Sequence, residues 1–316
     1  MCSFLASMFQ IFIELLLKYC YLFLVIRRGA VAVYQFTSAS KNRDVSSFVN
    51  PPARFVGVLY SRGPDNHPSG AISFRGIRTS YVLIPNNGCL DTRYSITIIF
   101  WVYPESPGPL IHFKPNGWGV HVWIVKSFRL YARFVPRSGK SVRPLYKKIK
   151  PRQWNYVAAT YDHRTGLATL WLSSLPIIQR KIGSFRLGLA TNYPIVIGRK
   201  PGDRRRFRGK ISCLQIYNFA MNGVQIRSKT KRCFRAGSYQ YFLANTRFEY
   251  NTTKSIFFLW IRICAEKQAN VCLFDHPRIP NMTPANSYAR APSVKPVLLE
   301  QVNSLLILRD FCFILL

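Results

Sequence analysis

The feature that most constrains this chain is a series of short apolar–polar alternations recurring between residues 33 and 235, with Gly, Pro, Asn and Asp clusters in the gaps. Segments 80–85 (SYVLIP), 94–104 (YSITIIFWVYP), 117–125 (GWGVHVWIV) and 128–135 (FRLYARFV) carry it. So do 153–161 (QWNYVAATY), 167–172 (LATLWL), 193–198 (YPIVIG) and 210–217 (KISCLQIY). A period of two places successive side chains on opposite faces of a pleated ribbon, whereas a helix needs apolar residues three and four apart. Only 221–231 offers a helical period, and it is short. Many strands joined by hairpin-length gaps, without crossover helices, predict an all-β fold. The expected architecture is a β-sandwich or jelly roll.

The flanks read differently. Residues 4–26 are apolar apart from Glu14 and Lys18, long enough to cross a bilayer as a helix of about 20 residues. The same stretch also reads as a secretory leader: Lys18, an apolar core at 19–26, then the small-residue motif Ala30-Val31-Ala32. Arg27 and Arg28 oppose cleavage there, and in an uncleaved anchor they would hold to the cytoplasmic side. Residues 1–32 are therefore expected to be a signal peptide or signal anchor, with a buried helix as a third alternative. They are also the only expected contact with a membrane. Residues 236–316 lose the alternation. Their apolar runs at 255–264 and 304–316 are too short to span a bilayer, and 277–296 has the composition of a linker. This tail is expected to be poorly ordered. Asn251 begins a glycosylation sequon, as does Asn281, which Pro284 weakens.

Charge narrows the choice of partners. The chain carries 45 Lys and Arg against 12 Asp and Glu, a net charge of +33. Residues 33–235 alone hold 34 bases and six acids. Such a field favours polyanions and disfavours calcium cages built from several carboxylates. The eight cysteines form no Cys-x-x-Cys pair, so a zinc site is not expected.

Four blocks of the 33–235 segment resemble one family. The block at 72–92 (ISFRGIRTSYVLIPNNGCLDT) joins a Phe-x-Gly turn, a strand and an Asn-rich loop, and 95–105 (SITIIFWVYPE) ends in an aromatic-Val-Tyr-Pro corner. The block at 153–172 (QWNYVAATYDHRTGLATLWL) is a hairpin that opens with a Trp, and 194–221 (PIVIGRKPGDRRRFRGKISCLQIYNFAM) holds Ile-Gly, a loop, Phe-x-Gly and a closing strand. In this order they resemble the laminin G-like domains of the concanavalin A-like jelly rolls. The resemblance implies a two-sheet antiparallel jelly-roll β-sandwich and a choice among several functions, including lectin-like binding with or without calcium. Two departures stand out. The turn after 167–172 reads Ser173-Ser174-Leu175-Pro176 where the family usually has Asn-Gly, so a tight hairpin is expected to be rebuilt or lengthened. Ser212 and Cys213 stand where many relatives carry an acidic pair.

Hydrolysis of a glycosidic bond needs two carboxylates at a fixed separation. The six acids of 33–235 are Asp44, Asp65, Asp91, Glu105, Asp162 and Asp203, and they form no Glu-x-Asp-x-x-Glu strand motif. Asp91 and Asp162 read as turn residues bonding their own backbone. No catalytic elbow, P-loop or His-Glu-x-x-His is present, and an enzyme is not expected. No cofactor is expected either; calcium at Asp91, Asp162 and Asp203 is the weaker alternative.

Two candidate binding surfaces remain. Alternation puts His121 and Trp123 on one face of 117–125, opposite Trp118, Val120, Val122 and Ile124, and puts Tyr131 and Arg133 on one face of 128–135. If the two strands are neighbours, these four line a shared outer face suited to sugars or peptides. The second surface is basic: 143–152 with Lys147, Lys148 and Lys150; 199–210 with Arg204, Arg205, Arg206, Arg208 and Lys210; and 227–235. All are expected in loops or at strand ends, as donors to sulfates or carboxylates. Nucleic acid would suit the charge, but no nucleic-acid module is recognisable. Cys213 and Cys233 flank the closing strand and the short helix, where a disulfide would staple that helix to the sandwich. Cys89 is left to be buried or to pair with Cys264 or Cys272. The sequence thus points to a secreted or membrane-anchored, extracellular recognition or adhesion domain. Its expected partner is a glycan, anionic glycans included, or a matrix or cell-surface protein; the alternative is a structural module without a ligand site.

Overall fold

A computed structural model of the protein describes residues 29–48 and 50–234. The expectations for the N-terminal apolar segment, Asn251, Cys264, Cys272 and the 236–316 tail lie outside the described residues. The described chain forms two antiparallel sheets. Sheet I runs β13 (Leu175–Lys181), β12 (Leu167–Leu172), β11 (Asn155–Asp162), β6 (Ile96–Ser106), β15 (Arg208–Tyr217), β4 (Ala71–Arg75), β3 (Leu59–Ser61). The short β1 (Ala32–Tyr34) pairs with the far half of β15, beyond the part that β4 occupies. Sheet II runs β10 (Leu145–Lys148), β9 (Arg129–Arg133), β8 (His121–Val125), β7 (Gly108–Phe113), β14 (Ile195–Ile197), β5 (Tyr81–Ile84), β2 (Arg54–Val56).

All eight segments that alternate in the sequence form strands: β5, β6, β8, β9, β11, β12, β14 and β15. Their inward residues meet between the sheets: Ile96, Ile98, Phe100 and Val102 of β6 and Val157, Ala159 and Tyr161 of β11 pack against Val122, Ile124, Leu130, Ala132 and Ile197 of sheet II. One irregularity sits in β15. Ser212 lies opposite Trp101 but Gln215 lies opposite Ile99, so one extra residue enters at a bulge, where Cys213 takes a left-handed φ of 56°. The bulge lets Ile211, Leu214 and Ile216 all reach the inter-sheet core, while Cys213 and Tyr217 face outward.

The outer face of sheet I is not left to solvent. Ile99, Tyr156, Ala158, Trp171, Cys213 and Tyr217 form a second apolar cluster with Met221, Ile226 and Cys233 of the following segment. That segment holds helix α1 (Gly223–Ser228), started by a capping box between Asn222 and Gln225. The Tyr156 hydroxyl donates to the Ile226 carbonyl at 2.8 Å, and Cys213 is disulfide-bonded to Cys233 with their Cα atoms 5.7 Å apart. Cys89 is buried and is not a free thiol.

Three sequence expectations need correction or refinement here. The β12–β13 turn is neither rebuilt nor lengthened: Ser173 and Ser174 alone connect the strands, with φ of 49° and 68°. Two positive φ values are the requirement of a type I′ turn, and serine meets it here at the steric cost that Asn-Gly would avoid. Lys147 and Lys148, expected in a loop or at a strand end, are the last two residues of β10, the edge strand of sheet II. The boundary drawn at residue 32 falls inside β1. Ala30, Val31 and Ala32 are buried, the Val31 amide donates to Ile216, and the Val31 carbonyl accepts from Asn50. Next to them, Asp44 accepts from the Val33 amide and from Ser46 and Asn50, which holds the strand's N-terminal crossing in place.

Candidate functional site

Sheet II has an outward face with a different composition, and strand register sets its layout. One cross-strand row reads Arg133, His121, His112, Val196 and Leu83 across β9, β8, β7, β14 and β5. The adjacent row reads Tyr146, Tyr131, Trp123 and Pro109 across β10, β9, β8 and β7. The four residues expected to share an outer face therefore do share one. His121 stacks on Tyr131 with centroids 5.7 Å apart, and Trp118 joins His121 at 5.3 Å and Trp123 at 6.0 Å.

The β14–β15 connection folds back over this face as an ordered arm. Arg199 and Arg206 form an isolated antiparallel bridge, and the Phe207 amide donates to Gly198. The tip is a turn in which the Asp203 amide donates to the Lys200 carbonyl, with Pro201 and then Gly202 at φ 75°. Proline followed by a positive-φ glycine is the signature of a type II turn. The arm's base is anchored by buried Phe207, whose ring meets Phe74 at 5.8 Å. Gly209 completes the Phe-x-Gly signal for a steric reason. At φ 142°, a Cβ there would stand 2.2 Å from the Tyr103 carbonyl oxygen.

Arm and face are joined by cations over rings. The Arg205 guanidinium lies 4.4 Å over the Trp123 ring, and Lys200 Nζ lies 4.9 Å over Trp118. Asp203 orients Arg205 by accepting from its Nε at 2.9 Å and its Nη2 at 2.5 Å. That bidentate contact, with burial opposing it, holds the Asp203 carboxyl down at about 2 and raises the Arg205 guanidinium. Beside the arm is a cleft of about 370 Å³, lined by Arg78, Arg199, Lys200, Arg204 and Arg206 with the turn backbone. Arg199 is pinned 3.5 Å over Tyr81 and donates to the Arg78 carbonyl, whereas Arg78 and Arg204 are exposed. The single carboxylate of the cleft, Asp203, is already held by Arg205.

Beneath the arm the histidines are uncharged. Burial pushes His112 down to about 4, aided by Lys200, and His121 down to about 3, aided by His112, Arg133 and Arg205. His112 donates through Nε2 to the Gly117 carbonyl and His121 through Nδ1 to the Gly119 carbonyl, tautomers that follow from the acceptors. His112 Nδ1 and Trp123 Nε1 are buried without a hydrogen-bond partner.

These positions sort the sequence expectations. His121 and Trp123 are 1% and 2% exposed, so neither forms a free surface with the arm in place; Tyr131 and Arg133 are half-buried. Trp118, which alternation had put on the inner face, is 48% exposed, because β8 begins only at His121 and the alternation was extended through Gly119. The run Arg204–Lys210 is not one patch. Buried Phe207 divides it, leaving Arg204, Arg205 and Arg206 on the arm, Arg208 paired with Glu105 at 3.0 Å, and Lys210 5.1 Å over Tyr103 on sheet I. Lys147, Lys148 and Lys150 are exposed on and after β10. Reasoning from sequence missed His112 and Arg78 altogether. The three acids considered for calcium are engaged by the protein: Asp91 by Arg137 and Thr191, Asp162 by the Arg164 amide and Thr165, Asp203 by Arg205. Among the described residues, no three His, Cys, Asp or Glu side chains gather as a metal site would require.

Residues 75–227 match the family model described as the concanavalin A-like lectin/glucanases superfamily, laminin G type. That part of the chain is a laminin G-like domain of the superfamily. No curated protein is similar to the chain in sequence. Among solved structures, the binding domain of Paraclostridial mosquitocidal protein 1 superposes with a TM-score of 0.55 at 17% identity, over 67% of this chain and 54% of that one. The binding domain of botulinum neurotoxin serotype G superposes at 0.52 and 15% identity, over 63% of this chain and 50% of that one. Botulinum neurotoxin type C, which depends on interaction with two ganglioside molecules for its passage into cells, superposes at 0.52 and 14% identity, over 65% and 51%. This chain spans about half the length of each of those chains, and at such identity the similarity is one of fold alone.

Proposed function

We propose that the protein is a non-enzymatic recognition domain, secreted or held at the cell surface, that binds anionic glycan at the arm-bordered cleft. One observation carries this reading. The arm from Lys200 to Arg206 is laid on Trp118 and Trp123, so that Arg78, Arg204 and Arg206 border a cleft whose only carboxylate is neutralised internally. Guanidinium groups pair with sulfate or carboxylate in two-point fashion, and a half-exposed indole offers a face to a sugar ring. The use of gangliosides by a protein of similar fold supports glycan as the ligand class, without transferring any residue. Every carboxylate of the domain accepts a hydrogen bond from the protein, a pattern that suits turns and ion pairs better than hydrolysis. The Cys213–Cys233 bond supports an oxidising compartment.

The test is retention on immobilised heparin. The triple variant R78S/R204S/R206S is expected to elute at distinctly lower salt than the wild type, while K147S/K148S shifts far less. Equal elution of the triple variant and the wild type would remove the cleft from the reading.

A further inference from the structure

A second cleft lies between two other segments of the same sandwich. Residues 138–143, between β9 and β10, form one wall, and 180–187, at and after the end of β13, form the other; they enclose about 460 Å³. Lys140, Arg143, Arg180, Lys181 and Arg186 line it, and no Asp or Glu does. Arg180 ties the walls together by donating to the Pro144 carbonyl at 2.8 Å. The other four cations are exposed and make no salt bridge among the described residues.

The walls are braced. Pro136 and Leu189 form an isolated bridge, the Arg137 amide donates to Gly188, and Arg137 is ion-paired with Asp91. Phe185 stacks on buried Tyr161 at 5.2 Å, and Leu187 beside it is 51% exposed, so the cleft also offers apolar surface. Four uncompensated cations on a fixed frame with an apolar edge suit an anionic sugar better than a simple ion.

The two clefts are linked through Arg133. Its Nε donates to the Val142 carbonyl and its Nη2 to Ser141 Oγ, each at 2.8 Å, so it holds one wall of the second cleft. In the strand register Arg133 faces His121, whose ring touches Trp123 beneath Arg205 of the arm. Both clefts therefore flank the outward side of β8 and β9, with cations between them.

We propose that the second cleft is a separate subsite for sulfate or carboxylate groups, and that the two clefts take successive anionic stretches of one linear sulfated glycan. The second half of this statement rests on the glycan reading of the arm cleft; the first does not. Two short sites occupied by one chain combine through effective concentration, which raises affinity by on the order of 10²-fold or more without new contacts.

Calorimetry with a heparin tetrasaccharide and with long-chain heparin tests it. The wild type is expected to bind two tetrasaccharides, and K140S/R143S/K181S/R186S and R78S/R204S/R206S one each. Long-chain affinity should fall by on the order of 10²-fold in either variant, toward that of the tetrasaccharide. Because all four second-cleft side chains are exposed, the fold should survive, and the charge-preserving K140R/K181R should bind as the wild type does. One tetrasaccharide in the wild type, unaffected by the second-cleft variant, overturns this inference and leaves the arm cleft standing. Binding abolished by the second-cleft variant alone overturns the arm cleft and keeps the second. A single-stranded DNA oligonucleotide bound as tightly as long-chain heparin at equal ionic strength overturns the glycan assignment of both.

Discussion

The buried pair His112 and His121 makes the domain sensitive to mild acid, and the size of the effect follows from the structure. Both rings lie beneath the arm, and burial holds them at about 4 and about 3, well below the usual 6.5 of an unfolded histidine. The unfolded chain therefore binds more protons than the folded one throughout the range from 6.5 down to those values. Stability is complete above pH 6.5 and is lost as pH falls through that window. Between pH 7.5 and pH 5 each histidine contributes roughly 2 kcal/mol of destabilisation, about 4 kcal/mol for the pair. For a domain of this size that is a fall in Tm of about 8–16 °C, read by thermal melts in buffers of equal ionic strength. The other charges facing the rings are those of Arg133, Lys200, Arg205 and Asp203. Substitutions that keep each hydrogen bond isolate the cause: H112Q mimics Nε2 toward Gly117, and H121N mimics Nδ1 toward Gly119. Each should remove about half of the slope, and the double variant most of it. A wild-type Tm that is flat from pH 7.5 to pH 5 would refute the reasoning, as would a double variant as acid-sensitive as the parent.

Two further outcomes concern the ends of the domain. Cys213→Ala with Cys233→Ala opens a bond with a sequence separation of 20, whose loop-closure entropy corresponds to roughly 3 kcal/mol, and the urea midpoint should fall accordingly; an unchanged midpoint would show that α1 is held by packing alone. A chain beginning at Val33 loses the buried Ala30, Val31 and Ala32 and the Val31 hydrogen bonds to Ile216 and Asn50, together roughly 3–5 kcal/mol relative to one beginning at Gly29. Equal melting of the two chains would mean that residues 29–32 are dispensable and that processing at Ala32 leaves the sandwich intact.

The parts of the fold that were legible are those where one face of a strand is buried and the residues say so. β6, β11 and β15 alternate because their inward residues meet sheet II, and they were readable on that ground. β7 was not, because all six of its residues are buried and a Gly-Pro start reads as a turn. β10 was read only as a basic loop or strand end because an edge strand keeps charged side chains on its open side. β13 carries Pro176, which argues against a strand except at an edge, where it sits. At the site, local pattern placed His121, Trp123, Tyr131 and Arg133 together, since neighbouring strands share a face. It could not bring Arg205 onto Trp123, or Arg78 and Arg204 to one cleft, because those arrangements join distant segments and leave no periodic trace. The misplacement of Trp118 has a local cause: Gly119 and a late start to β8 break the phase that the alternation assumed.

The two sheets differ in what their outer faces require. On sheet I the outward residues are Ile99, Ala158, Trp171 and Tyr217, a surface that must be covered, and α1 with its disulfide covers it. On sheet II the corresponding positions hold His112, His121, Tyr131 and Arg133, and their cover is a five-cation arm, Arg199 to Arg206, held by one internal carboxylate. An apolar cover buries its contacts and leaves nothing for a ligand. A cationic cover satisfies the aromatic rings from one side and keeps the exposed Arg204 guanidinium on the other. On the glycan reading proposed above, the positive charge of the arm answers two demands at once, the rings beneath it and a ligand above it. Replacing Arg205 should disturb the first, and replacing Arg204 only the second. R205S is expected to lower Tm and expose Trp123 to a fluorescence quencher, while R204S weakens heparin retention at unchanged Tm. If R204S instead matched R205S in both measurements, the arm would be packing alone and the cleft would lose its ligand.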